Sequence, residues 1–142
     1  MTDHESARFE SKIAIVLRAD LPAWQKLNMT AFLASGVAHA AAESVGKPYY
    51  DGDGTEYLAM FGQPVMVFGA TGGELARTLD RALSRGITPA VFTQTLFSTG
   101  HDSANRAAVA AVPRAELDLA GLALRGDRRD VDKVTRGLRL HS

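Results

Sequence analysis

Lys12–Arg18 (KIAIVLR) is a short apolar run rich in β-branched residues, the pattern of a strand buried on both faces. Asp20, Leu21 and Pro22 break it. From Asn28 the period changes. Met29, Phe32, Leu33, Gly36, Val37, Ala40, Ala41 and Ser44 recur at three- and four-residue steps, lining one face of a helix that ends near Val45. Asn28 is a residue type that caps a helix by accepting a hydrogen bond from a first-turn N–H. Gly46, Pro48, Gly52 and Gly54 mark a turn-rich connection.

Pro64–Gly69 (PVMVFG) reads as a second buried strand. Thr71, followed three residues later by Glu74, forms the reciprocal pattern of a capping box. Leu75, Leu79, Ala82 and Leu83 carry the apolar stripe of the next helix, Arg77, Asp80, Arg81 and Arg85 face water, and Gly86 closes it. Ile87–Phe92 (ITPAVF) is a third strand, which Pro89 assigns to a sheet edge because it lacks a ladder donor. Asp102 or Ser103 starts another helix, with Ala104, Ala107, Ala108, Ala111 and Val112 inward and Pro113 beyond its end. Leu117–Leu124 (LDLAGLAL) is the fourth strand, and Asp127 caps a last helix with Val131, Val134 and Leu138 on its apolar side. Alternating strands and helices predict an α/β fold with a mostly parallel sheet covered on both faces. There is no internal repeat, so residues 1–142 are expected to form a single domain.

Composition narrows the function classes without choosing one. The chain has 142 residues, and sixteen basic side chains balance sixteen acidic ones, so no general electrostatic attraction draws it to nucleic acid or a membrane surface. Cysteine is absent, which removes disulfides, thiolate nucleophiles and Cys-type zinc sites, and fits a reducing compartment. No apolar run approaches the roughly 18 residues of a membrane helix. Met1–Glu10 is charged and lacks the apolar core of a secretory signal. The expectation is a cytoplasmic domain with no membrane partner.

Four stretches carry candidate chemistry. Gly69-Ala-Thr-Gly72-Gly73-Glu74 joins a strand to a helix, where N–H groups can cradle an anion, but it lacks the dinucleotide spacing and the phosphate-loop lysine. A turn with a capping box already explains it. Asp51-Gly-Asp53-Gly54-Thr55-Glu56 clusters carboxylates, yet position 62 is glycine where a calcium loop needs a ligating glutamate, so a solvated turn is the better account. No metal or cofactor is expected. Thr99-Gly-His101-Asp102-Ser-Ala-Asn105-Arg106 is the most varied stretch. It supplies a base, an acid and a cation able to hold an anionic substrate, or else Asp102 caps the helix, pairs with Arg106 and leaves His101 in water. His101 and Asp102 are the catalytic candidates if there is catalysis. Ser35, His39 and Glu43 lie one turn apart, and a solvated helix face accounts for them better than a nucleophile does.

Several strings resemble a known superfamily. Ile13–Leu21 (IAIVLRADL), the Gly62-Gln63-Pro64 lead-in to the second strand, and Arg129–Leu140 (RDVDKVTRGLRL) are similar to type II peptidyl-tRNA hydrolases over about residues 12–140. Leu27-Asn28-Met-Thr30-Ala31-Phe32-Leu33 and Phe97–Ala108 (FSTGHDSANRAA) look more like a sister group, the domain of unknown function 2000 family. The resemblance implies a three-layer α/β/α domain around a four-stranded mixed sheet, a frequent homodimer, and no established activity. The hydrolases' lysine at the start of the first helix aligns with Asn28 and their aspartate after the third strand with Gln94, while their helix glutamine and histidine align with Phe32 and Ser35. Lys26 stands nearby, out of register.

Replacing an ammonium and a carboxylate by two carboxamides removes the charge logic of an ester-cleaving site. The expected function is therefore a small-molecule or anionic ligand cleft at the strand C-terminal ends. Its candidate residues are Asp20, Asn28, Thr30, Gln94, Thr95, His101, Asn105 and Arg106. The rivals are a hydrolase with a changed site and a partner-binding homodimer. A basic patch of Arg125, Arg128, Arg129, Lys133, Arg136 and Arg139 is diluted by Asp127, Asp130 and Asp132, so a nucleic-acid partner is not favoured.

Overall fold

The computed structural model describes residues 9–142. The reading of Met1–Glu10 as no secretory signal concerns a segment of which residues 1–8 lie outside those described. The elements run β1 (Ser11–Arg18), α1 (Ala23–Ala40), β2 (Tyr49–Tyr50), β3 (Glu56–Tyr57), β4 (Val65–Ala70), α2 (Gly72–Ser84), β5 (Ala90–Thr93), α3 (Asp102–Ala110), β6 (Leu119–Asp127), α4 (Arg128–Val134) and β7 (Arg139–Leu140). One five-stranded sheet has the order β5-β6-β1-β4-β7, and β2 with β3 forms a separate hairpin.

β1 is central, and its two-sided burial explains its uninterrupted apolar sequence. Ile13, Ile15 and Leu17 meet Met29, Leu33 and Val37 of α1 on one face. Ala14 and Val16 meet Leu75, Leu79 and Ala82 of α2 and Val131 and Val134 of α4 on the other. Helices therefore cover both faces. The ladder between β5 and β6 slips where Phe92 faces Gly121 and Thr93 faces Leu119, leaving Ala120 as the extra residue of a bulge.

The sheet has five strands rather than the expected four, because the short β7 pairs with β4 at Phe68↔Leu140 and Gly69↔Arg139. It is mixed rather than mostly parallel. β1 and β4 run parallel, whereas β1–β6, β4–β7 and β5–β6 are antiparallel. Alternation of strand and helix fails as a guide here because the segment joining β5 to β6, with α3 in it, never docks on the sheet as a crossover. α3 buries no residue, and Ala107, Ala111 and Val112, expected inward, are exposed. An alanine stripe has helical period but little apolar area to bury. β5 lies at a sheet edge, as Pro89 indicated.

α1 starts five residues before the position the apolar period indicated. Pro22 (φ −57°) takes the N-cap position, and its carbonyl accepts from Gln25 N at 3.1 Å and Lys26 N at 3.2 Å. Proline tolerates this site because no intrahelical partner is needed for the missing N–H. Asn28 is therefore inside the helix and caps nothing. The expected inward stripe narrows to Met29, Leu33 and Val37, and Phe32 remains 57% exposed. The helix stops at Ala40, short of Val45.

α2 has the predicted capping box, with Glu74 N donating to Thr71 Oγ1 at 3.1 Å and Thr71 N to Glu74 Oε1 at 2.9 Å. Asp127 caps α4 by accepting from Arg129 N at 2.9 Å. Gly86 (φ 74°) follows α2 in the left-handed region. The connection after α1 is more ordered than a run of turns. Asp51 accepts from Asp53 N, Thr55 N and the Tyr57 hydroxyl, at 2.9, 3.0 and 2.8 Å, and so folds the β2–β3 tip. No helix among the described residues is long and apolar enough to cross a membrane.

Candidate functional site

β1, β4 and β5 all end on one side of the sheet, because β6 runs antiparallel to both β1 and β5 and β4 is parallel to β1. The first turns of α1 stand over that side. Two clefts open there, one on each flank of α1.

The first lies between α1 and the segment from β5 into α3, with a volume of about 300 Å³. Trp24, Asn28 and Phe32, four residues apart on α1, form one wall. The opposite wall is Phe92, Leu96 and Phe97, then the 99–102 loop and Asn105. Its rings touch in series: Trp24 meets Phe97 edge-on at 5.8 Å, Phe97 meets Phe92 at 4.8 Å, and Phe92 meets Phe32 at 6.0 Å. A neighbouring cleft of about 600 Å³ shares Phe32, Phe92, Leu96, Asp102 and Asn105 and adds Arg106.

The loop feeding α3 is held by local hydrogen bonds. His101, not Asp102, is the N-cap. Its Nδ1 accepts from Ala104 N at 3.2 Å and lies 2.8 Å from the Ser103 hydroxyl. Asp102 occupies the first helical position and pairs with Arg106 one turn on. The Thr99 hydroxyl pairs with the Asn105 carboxamide and donates to Leu96 O at 3.0 Å. Among the described residues, His101 Nε2 has no partner and no carboxylate orients the ring.

The expected convergence of candidate residues is partial. Asn28, His101 and Asn105 line one cleft, Asp102 belongs to it, and Arg106 lines its neighbour. Asp20 lies on the other flank of α1, beside Arg18 Nε at 3.4 Å. The Thr30 hydroxyl turns back to Lys26 O at 2.6 Å. Gln94 and Thr95 sit in the 3₁₀ turn after β5 and line neither cleft, and the Gln94 side-chain oxygen is buried without a partner. Ser35 donates to Phe32 O at 2.6 Å rather than to His39, and Glu43 takes Arg125 at 3.2 Å. The basic patch is divided as well, with Arg125 bound to Glu43 and Gln63 and Arg128 to Phe9 O.

The second cleft, about 790 Å³, lies at the ends of β1 and β4 against the start of α2 and β7. It contains Lys26, from the first turn of α1, and His141, neither of which the sequence reading assigned to a site. Lys26 Nζ is 3.1 Å from Ala19 O and 3.1 Å from His141 Nε2. The helix start thus does carry an ammonium, but on the opposite flank from Asn28. Trp24 and Phe97 also went unassigned. With α1 started at Pro22, the spacing Trp24-Asn28-Phe32 would have indicated a shared face, whereas no local signal marks His141. Among the described residues no group of three histidine, aspartate or glutamate side chains could hold a metal ion.

The family model described as "Protein of unknown function (DUF2000)" matches residues 11–142. A solved protein of unknown function from Agrobacterium tumefaciens strain C58 is 42% identical, with a TM-score of 0.93 over 95% of this chain and 100% of that one. No curated protein matches the chain.

Proposed function

The chain belongs to the DUF2000 family of proteins of unknown function, and from the geometry of the Asn28 cleft we propose that it binds a small, planar, uncharged molecule there. The observation that carries this reading is that Asn28, His101 and Asn105 line one cleft walled by Trp24, Phe32, Phe92 and Phe97. Rings of this kind offer flat apolar area, and a carboxamide offers a donor and an acceptor side by side. The Asn28 carboxamide has no hydrogen bond to another described residue, so both its groups are free for a ligand. Asp102 and Arg106 neutralise each other, which removes the local charge that would select an ion. Trp24 is 60% exposed, so a flat ligand laid against it removes apolar surface from water. The position beyond the ends of β1 and β5 is where open α/β sheets hold ligands.

An ester-cleaving reading lacks comparable support. His101 Nδ1 is committed to the cap of α3, Asp102 to Arg106, and the Lys26 ammonium to the other flank of α1. The experiment is a thermal-shift screen of aromatic and nucleobase-like metabolites, followed by titration of each hit against Asn28→Ala and Trp24→Ala. Each variant should weaken binding about tenfold, as loss of one buried hydrogen bond or one ring contact does. A hit that binds both variants as tightly as the parent, or peptide release from N-blocked aminoacyl-tRNA that His101→Ala abolishes, would overturn the reading.

A further inference from the structure

We propose that the cleft around Lys26 is a second, separate site that takes a small oxyanion, the phosphate or carboxylate group of a metabolite. The Lys26 ammonium spends two of its three N–H groups, one on Ala19 O and one on His141 Nε2, each at 3.1 Å. His141 Nδ1 lies 2.8 Å from Ser142 O, which can only accept. The proton is therefore on Nδ1, and Nε2 presents a lone pair to the ammonium. Both partners of Lys26 are neutral acceptors, and no carboxylate of a described residue lies within ion-pair distance. Its charge and third N–H remain to be satisfied at the cleft.

The other charges in the cleft point the same way. Its walls carry three cationic side chains, Arg18, Lys26 and Arg139, against two side-chain carboxylates, Asp20 and Glu74, with Ser142 lining it as well. Both carboxylates are already engaged, Asp20 by Arg18 at 3.4 Å and Glu74 by the capping box of α2. Neither Lys26 nor Arg139 has a side-chain carboxylate of a described residue within ion-pair distance. The fold holds the cluster in place. Ala19 N donates to Ala70 O at 3.0 Å and His141 N to Val67 O at 2.9 Å, so both acceptors of Lys26 extend sheet ladders. Gly69 forms part of the floor, where a Cβ would stand 3.4 Å from Ala19 Cβ and 3.7 Å from the His141 ring, in ordinary contact with both. An ammonium anchored by two fixed acceptors and aimed into an 790 Å³ cleft is preorganised for an anion.

The test is independent of the Asn28 cleft and uses inorganic phosphate, acetate and citrate as probes, titrated by calorimetry. At least one probe should bind saturably, and comparison of phosphate with the two carboxylates separates the two sources of oxyanion. Lys26→Met should weaken that binding about tenfold or more, Lys26→Arg should retain most of it, and Lys133→Met, on α4, should leave it unchanged. In the unmodified protein the Lys26 and His141 side-chain resonances should shift on titration, a readout that survives if Lys26→Met fails to fold. Absence of saturable binding by any probe, equal binding by Lys26→Met, or unmoved Lys26 and His141 resonances would overturn the proposal.

Discussion

Gly121 of β6 lies directly against the sulfur of Met29 on α1. A Cβ at Gly121 would stand 2.8 Å from Met29 Sδ, 3.0 Å from Val16 O and 3.2 Å from Leu33 Cδ1. The sulfur ends a flexible side chain and can retreat, but the Val16 carbonyl is part of the central strand. Glycine here sets how closely α1 approaches the sheet, and so where Trp24 and Asn28 stand over the strand ends. Gly121→Ala should therefore destabilise the fold by about 1–3 kcal/mol, read as a lower urea midpoint. An unchanged midpoint would mean that α1 shifts to make room.

The capping box of α2 is a reciprocal pair at the rim of the Lys26 cleft. Removing the Thr71 hydroxyl leaves Glu74 N without its acceptor, and Thr71→Ala should cost about 1 kcal/mol by the same denaturation. Thr71→Ser should restore most of that loss.

His101 and Asp102 have separable roles at the start of α3. His101→Ala removes the cap from Ala104 N and should loosen α3, seen as faster amide hydrogen exchange over residues 102–106. Asp102→Asn removes only an exposed i,i+4 ion pair, worth about 0.5 kcal/mol or less, and should leave exchange nearly unchanged. Equal effects would contradict the assignment of the cap to His101.

The β2–β3 tip is sensitive to pH at both extremes. The Tyr57 hydroxyl, with the N–H groups of Thr55 and Asp53, holds the Asp51 carboxyl below its ordinary range. The Asp51 carboxylate in turn pushes the Tyr57 phenol up. A lowered carboxyl contributes order that is present above its unfolded value and is lost as pH falls through the folded one. A raised phenol contributes order that is present below its unfolded value and is lost as pH rises through the folded one. Backbone resonances of residues 51–57 should therefore report an ordered tip at neutral pH that loosens in strong acid and again in strong alkali. Tyr57→Phe should remove the alkaline transition and move the acid one to higher pH.

Long, two-sided or capped elements were the ones legible in the sequence. β1 and β4 read as continuous apolar runs because they are covered from both faces, and Thr71-Glu74 and Asp127 marked helix starts by side-chain chemistry. The start of α1 was missed because Pro22 caps without a side-chain acceptor, so the first polar residue before the apolar stripe, Asn28, took its place. β7 was missed as a sheet strand because it has two residues and its ladder is completed by His141 N. The candidate site was half legible. Asn28, His101 and Asn105 do share a cleft, but Asp20 lies in the turn before α1 on the Lys26 flank, and which flank of α1 each residue faces could not be fixed without the true helix start.

The sheet order has a consequence for how the chain is made. β1 is synthesised before β4 and β6, yet it lies between them, paired to Val65–Ala70 on one edge and to residues as distant as Asp127 on the other. During translation its unpaired backbone N–H and C=O groups wait for partners that have not left the ribosome, and closing such long loops is slow. Until β6 arrives, the central strand of the sheet is an open template for foreign strands. Nascent chains stalled before residue 119 should for that reason be the aggregation-prone species, however stable the finished domain.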